Sequence, residues 1–249
     1  MISKGTIRFI KSLQLKKYRK QAQSFSVEGA KSVLELAQSS FEITHLMVTK
    51  PFWEDNEKSL KMLEDRVAVV TNKQLTAISA FKTNEAALAV ARFRQHPPWE
   101  VEPDEYVIAL DRIRDPGNFG TILRIADWYG INKVVASSDS ADYYHPKVIQ
   151  ASMGSFTRVA VYHQDLHETL QGMTNIFAAG MKGEDVHKVD FPAGGVLVIG
   201  NEAQGLDTSL TPLIHQTVCI PGYGVAESLN AAVATAVICD NIRRSLNTN

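Results

Sequence analysis

Three short clusters of the sequence combine charged or amide side chains with turn formers. In Asp111-Arg112-Ile113-Arg114-Asp115-Pro116-Gly117-Asn118-Phe119-Gly120-Thr121-Ile122-Leu123-Arg124, Pro116 and Gly117 make a turn and Asn118 can cap the helix that follows. Arg124 then falls about two turns into that helix, and a capped helix with a surface arginine accounts for the cluster equally well. In Val196 to Leu206 an apolar run ends on Gly200 and the polar pair Asn201-Glu202. Gly200 permits close approach of a ligand to the backbone, and Glu202 can bind a ligand amine, fix an arginine, or be a solvated loop acid. In Val218 to Asn230, Pro221, Gly222 and Gly224 make an irregular loop before a helix rich in Ala and Val. Ser228 and Asn230 suit the cap of that helix, but a cap does not require the irregular loop, and such loops commonly wrap a ligand.

Other chemistries lack their residues. The glycine spacing is not Gly-x-Gly-x-x-Gly, and Gly-x-x-x-x-Gly-Lys-Ser/Thr does not occur, so nicotinamide and nucleotide triphosphatase readings lose their main support. His163 and His167 have i, i+4 spacing without a carboxylate or cysteine set to complete a metal site, and no metal is expected. Cys219 and Cys239 sit in apolar surroundings and read as small hydrophobes.

Loops of this kind need a scaffold. From Tyr106 onward the sequence shows apolar strands without strict alternation: Tyr106 to Leu110, Lys133 to Ala136, Arg158 to Tyr162, Asn175 to Ala179, Val196 to Ile199 and Gln216 to Ile220. Strands buried on both faces with helices between them predict a parallel α/β sheet, whose ligands bind beyond the strand carboxyl ends. The first 95 residues predict a smaller α/β unit. Helices are expected over Thr6 to Ser24, Ala30 to Gln38, Glu57 to Glu64 and Lys73 to Ala80, and strands over Phe25 to Glu28, Ile43 to Val48, Arg66 to Thr71 and Ala87 to Phe93. Residues 96–103 hold three prolines and read as a linker, which divides the chain into domains 1–95 and 104–249.

The net charge of −1 conceals a basic opening, because Lys4, Arg8, Lys11, Lys16, Lys17, Arg19, Lys20 and Lys31 face only Glu28 among the acids up to position 31. A solvated helix face explains such a run, yet a local basic excess also attracts a phosphate backbone, so with a second RNA signal Lys16, Lys17, Arg19 and Lys20 become the candidate RNA contacts. No apolar run approaches the ~20 residues of a membrane helix. The opening Met1-Ile2-Ser3-Lys4 does not read as a secretory signal, so a cytoplasmic protein is expected.

Taken in order, the three clusters resemble the motifs of the SpoU (TrmH-like) family of RNA 2′-O-methyltransferases, in the SPOUT superfamily. They are Asn-x-Gly-x-x-x-Arg at Asn118 to Arg124, Gly-Asn-Glu-x-x-Gly-Leu at Gly200 to Leu206, and Ile-Pro followed by Glu-Ser-Leu-Asn at Ile220 to Asn230. The likeness covers about residues 105 to 245, and Phe25-Ser26-Val27-Glu28-Gly29 is similar to the opening of the family's substrate-binding domain. Gly222 stands where the family often has Met, and Ala231-Ala232 replace the commoner Val-Ser. The resemblance implies a deep trefoil knot, a homodimer through the C-terminal domain, and S-adenosylmethionine contacted by backbone near Ala179, Gly180, Gly200, Ile220 and Leu229. It also implies methyl transfer to a ribose 2′-hydroxyl, on ribosomal RNA ahead of transfer RNA.

In that reading Arg124 is the central catalytic residue. Arginine almost never loses its proton, so Arg124 is expected to grip the adjacent phosphate and lower the hydroxyl pKa while a phosphate oxygen or solvent takes the proton. Asn118, Ser228 and Asn230 would orient the nucleotide, and Glu202 would hold Arg124 or a neighbour. The rival is a catalytically silent RNA-binding or ribosome-assembly module of the same fold, which the retained Arg124, Glu202, Ser228 and Asn230 argue against.

Overall fold

Apolar strands that pair in parallel must be covered on both faces, and the second half of the chain does this. A computed structural model describes residues 2–248, and the chain divides into two compact units, residues 1–95 with 142–157 and residues 96–141 with 158–249.

The first unit runs α1 (Lys4–Ser12), α2 (Lys16–Ala22), β1 (Ser24–Glu28), α3 (Ala30–Ala37), β2 (Ile43–Thr49), α4 (Lys50–Leu60), β3 (Val67–Val70), α5 (Asn72–Ile78) and β4 (Ala87–Arg92). Its sheet has the order β1-β4-β2-β3, with β4 antiparallel to both neighbours and β2 parallel to β3. Ile10, Leu13, Met47, Leu75, Leu88 and Val90 form one buried cluster. Helix starts follow local chemistry: Ser3 accepts from the Thr6 N–H, and Thr71 and Gln74 form a capping box on α5.

The continuous helix expected over Thr6 to Ser24 is broken. Leu15 is extended, and the guanidinium of Arg19 donates to the carbonyls of Leu13 and Gln14 at 2.8 and 2.9 Å, satisfying oxygens that a continued helix would have used. Arg19 also pairs with Asp142 at 2.6 Å and is 1 % exposed. Its expected place on the RNA surface is at odds with this burial: Arg19 is a buried brace, whereas Lys16, Lys17 and Lys20 are exposed. Its partner lies in a segment assigned from sequence to the C-terminal domain. Residues 142–157 pack instead with the first unit, where Phe25 meets Tyr144 and Phe156 at ring distances of 4.6 and 6.0 Å. That segment contains α7 (Pro146–Ser152), started by the ring of His145 accepting from the Lys147 N–H.

The second unit runs β5 (Tyr106–Leu110), α6 (Pro116–Trp128) and β6 (Lys133–Ala136), then β7 (Ala160–His163), α8 (Leu166–Leu170), β8 (Ile176–Asp185), β9 (Gly195–Ile199), β10 (Gln216–Cys219) and α9 (Ala231–Thr248). Its sheet has the order β10-β8-β9-β5-β6-β7 and every pair is parallel. Tyr106 to Leu110 are buried throughout, as an unalternating apolar strand requires. β8 is twice as long as expected. Its register with β10 jumps from Ala178–Thr217 to Glu184–Val218, so residues 179–183 stand outside the paired ladder. Gly183 closes this bulge, since a Cβ there would collide with the Thr217 carbonyl oxygen. His96 and Trp99, in the proline-rich stretch, pack against Tyr162 at ring distances of 5.4 and 5.1 Å, so the stretch belongs to the second unit's core surface.

Candidate active site

The carboxyl ends of β5, β9 and β10 lead into the three motif loops, so the parallel sheet delivers them to one end of the second unit. Asp115, not Asn118, caps α6: its carboxylate accepts from the Asn118 N–H at 2.7 Å, with Pro116 in the first turn. Asn118 lies inside the helix, and its side chain is thereby left for tertiary contacts. Its amide nitrogen donates to Glu202 Oε1 at 2.5 Å, and its oxygen accepts from the Asn230 amide at 2.8 Å. Asn230 in turn accepts from the Ala232 and Val233 N–H groups at 2.9 and 3.3 Å, as the cap of α9. Because backbone N–H groups can only donate, the Asn230 oxygen must face them. The orientation of both amides then follows, and Asn118 presents a donor to the Glu202 carboxylate. Motifs one, two and three are joined through one side chain.

Glu202 therefore holds a neighbour, Asn118, and no hydrogen bond or ion pair among the described residues joins it to Arg124. The Arg124 guanidinium is exposed on α6 and has no partner among the described residues. Ser228 is exposed in the loop before α9 and does not cap that helix.

A residue that the sequence motifs leave unmarked organises the second loop. Arg112 follows β5 with φ +55°, a left-handed conformation that side chains with a Cβ rarely adopt. Its Nε and Nη2 grip both oxygens of Asp111 at 3.1 Å, and Nη2 also donates to the Gly205 carbonyl at 3.2 Å. Its own carbonyl accepts from Asn201 at 3.0 Å, and its N–H donates to Ser137 Oγ at 2.9 Å. Asp111 is 3 % exposed and also accepts from the Asp207 N–H at 2.7 Å. Hydrogen bonding to Asp111, then the charges of Asp111, Asp207 and Asp139, hold the Arg112 pKa above its ordinary value. The one hint in the sequence is an ionic pair closing an apolar strand.

Gly200 serves the loop itself. A Cβ there would sit 2.8 Å from the Gly205 carbonyl carbon, and Asn201 and Gly205 exchange backbone hydrogen bonds of 3.1 and 2.9 Å. The close approach expected of a ligand is made at that point by the chain's own return. Ala179 and Gly180 lie in the β8 bulge, where main-chain groups are outside the ladder, and Ile220 and the 49 % exposed Leu229 border the third loop. Unpaired backbone from β8 beside apolar side chains from the β10 side suits a ligand with both a polar amino-acid end and a planar apolar base. S-adenosylmethionine fits that description. Among the described residues there is no group of histidine, cysteine and carboxylate ligands that could hold a metal ion.

A protein-family model described as the SpoU rRNA Methylase family matches residues 105–240, and one described as the MRM3-like substrate binding domain matches residues 4–89. The 23S rRNA (guanosine(2553)-2′-O)-methyltransferase RlmP of Bacillus subtilis (strain 168) is 27% identical over 238 residues, 94% of each chain. A solved structure of a TrmH-family protein from Porphyromonas gingivalis is 33% identical, with a TM-score of 0.85 over 98% of this chain and 99% of its own. The AdoMet-bound rRNA methyltransferase of Sinorhizobium meliloti is 26% identical, with a TM-score of 0.87 over 99% of this chain and 97% of its own. A family match that runs through all three loops of the site, over more than half of the residues, makes this chain a member of the SpoU rRNA methylase family.

Proposed function

We infer that the protein is an RNA 2′-O-ribose methyltransferase that uses S-adenosylmethionine and acts on ribosomal RNA ahead of transfer RNA. The observation that carries this reading is the Asn118 relay, which ties Glu202 and Asn230 together and leaves the Arg124 guanidinium on the same helix exposed for a substrate. The relatives support it, being rRNA 2′-O-methyltransferases by name or rRNA methyltransferases with AdoMet bound. These names argue against a catalytically silent module of the same fold.

Bound S-adenosylmethionine supplies a methyl group on a positively charged sulfur; the chain's task is to present a 2′-oxygen in line with it. Arg124 takes the phosphate beside the reacting ribose in a planar fork, and its positive charge lowers the hydroxyl pKa. The 2′-hydroxyl proton would leave for a phosphate oxygen or solvent as that oxygen takes the methyl group the bound cofactor would supply. Ser228 and Asn230 orient the nucleotide, Asn118 and Glu202 hold Asn230 and the second loop in register, and alignment supplies on the order of 7 to 11 kcal/mol in favourable cases. Ala179, Gly180, Gly200, Ile220 and Leu229 would border the cofactor.

Three further assignments belong to this reading. The catalytic chain is threaded as a trefoil knot, on the likeness to the SPOUT superfamily. It is a homodimer through the C-terminal domain, because Trp128 at the end of α6, Leu229 ahead of α9 and Val233 on α9 leave apolar side chains 83 %, 49 % and 50 % exposed. It works in the cytoplasm, where ribosomal RNA is; no helix among the described residues is long and apolar enough to cross a membrane. The reading is tested by mapping 2′-O-methyl positions in ribosomal and transfer RNA with and without the gene, then reproducing the affected position with purified protein and S-adenosylmethionine. An unchanged map, with no transfer in vitro, sinks it.

A further inference from the structure

The first unit holds a cavity of about 270 Å³ that lies away from the motif loops in the chain and takes no part in the chemistry above. Its wall includes Glu28, Ala30, Phe81, Thr83, Asn84 and Gln150, drawn from the end of β1, the start of α3, the loop before β4, and α7. The wall is fixed in advance. The Glu28 carboxylate accepts from the Ser79 hydroxyl, from the Ala80 N–H at 2.8 Å and from Asn84 at 3.3 Å, and these bonds staple the loop carrying Phe81 and Thr83 to β1. Burial pushes the Glu28 carboxyl pKa upward, as expected for a group that closes a floor.

Three properties narrow what such a cavity takes. Its volume lies below the about 300–1,000 Å³ of sites that enclose a whole small ligand, so it suits one planar group. Phe81 is half-buried in its wall and offers an aromatic surface, while the side chains of Thr83 and Gln150 make no hydrogen bonds among the described residues and offer both donors and acceptors. The rim is basic. Lys31 follows Ala30, Lys82 sits between Phe81 and Thr83, and Lys147 precedes Gln150 by three positions on α7, on the same helix face. All three lysines are exposed without an ion pair among the described residues; Glu28 and Glu85 are the acids of the wall.

We propose that this cavity takes one unstacked base of the RNA substrate, stacked on Phe81 and hydrogen-bonded by Gln150 and Thr83, with the flanking phosphates on Lys31, Lys82 and Lys147. An unpaired base offers a flat face and a polar edge together, which is how single-stranded RNA is commonly gripped. The cavity is a second point of contact, separate from the reacting ribose, and it rests on the reading of the protein as an RNA enzyme.

The test uses the full chain and a labelled single-stranded RNA 10-mer without self-complementarity, with a duplex of the same length beside it, followed by anisotropy across a salt series. Stacking releases no counterions, whereas lysine–phosphate contacts do. Phe81→Ala is therefore expected to weaken single-strand binding at least about 5-fold with an unchanged salt slope. Neutralising Lys31, Lys82 and Lys147 together flattens the slope, and neither change affects the duplex to the same degree. Ala30→Leu, at an exposed position, fills the cavity without charge or ring and should reproduce the Phe81→Ala loss, which keeps the test decisive if Phe81→Ala fails to fold. Wild-type affinity in folded Ala30→Leu protein overturns the proposal, as does equal weakening of single strand and duplex. Binding is read without turnover, so a failure of methyl transfer counts against the enzyme reading and leaves this result standing.

Discussion

The Asn230 side-chain amide donates to the Asn118 oxygen across 2.8 Å, and this bond sets the direction of a relay from the first N–H groups of α9 to the Glu202 carboxylate. Asn118→Asp reverses one end of it. The introduced carboxylate still accepts from Asn230 but faces Glu202 with like charge, so one of the two acids must bind a proton to restore the bridge, and its pKa rises. Activity of Asn118→Asp should therefore be greatest at the acid end of the working range and fall as pH rises through that pKa. The wild type should lack that fall. The measurement is kcat/KM against pH for both proteins; parallel profiles would show that Asn118 does not face Glu202 during turnover.

Arg124 separates catalysis from binding. Arg124→Lys keeps a charge but loses the planar fork, so single-turnover methyl transfer should drop far more than RNA affinity, and Arg124→Ala should be worse. Cofactor affinity, measured by calorimetry, should hold in both variants. Transfer by Arg124→Ala at the wild-type rate would end the proposed role.

Arg112 makes a prediction in which two variants diverge. Arg112→Ala loses the grip on Asp111 and Gly205 and keeps the left-handed backbone, whereas Arg112→Gly loses the same grip and relieves roughly 1 kcal/mol of strain. Both should lose activity, since the loop carrying Glu202 is no longer tied to β5. The glycine variant should melt higher than the alanine variant. Equal melting temperatures would argue that φ at this position relaxes once the side chain is gone.

The basic opening should divide by burial. Replacing Lys16, Lys17 and Lys20 with alanine should flatten the salt dependence of RNA binding and leave stability within about 0.5 kcal/mol. Arg19→Ala strands Asp142 and two helix-end carbonyls, and should cost on the order of 3 kcal/mol in urea unfolding. A stable Arg19→Ala protein with weakened RNA binding would restore Arg19 to the RNA surface.

Strand positions in the second unit are legible because both faces are buried: Tyr106–Leu110 and Lys133–Ala136 lie where the apolar runs predict them. What sequence does not show is pairing across long separations. Arg19 and Asp142 are 123 positions apart, so a basic run that reads as uniformly solvated contains one buried member. Asn118 has the right residue type for a cap, and only the geometry shows that Asp115 takes that place and frees Asn118 to reach Glu202 and Asn230, 84 and 112 positions away. The β8 bulge is invisible because the residues that leave the ladder begin small and apolar like those that stay, and the point at which β8 resumes pairing is set by its β10 partner, more than 30 positions away. In the first unit, α4 starts seven residues ahead of the helix expected from Glu57, because Pro51 opens it in the first turn.

Residues 142–157 complete the first unit only after β5, α6 and β6 have been made. During synthesis the first 95 residues therefore emerge without Tyr144 and Phe156, two of the four rings that meet Phe25, and without the carboxylate that neutralises Arg19. About 60 residues separate Gln95 from Thr157, which at 5–20 residues per second is a delay of about 3 to 12 s. A nascent chain in that interval lacks part of the cover of Phe25 and carries an Arg19 without its carboxylate, so the N-terminal unit matures together with the domain that follows it.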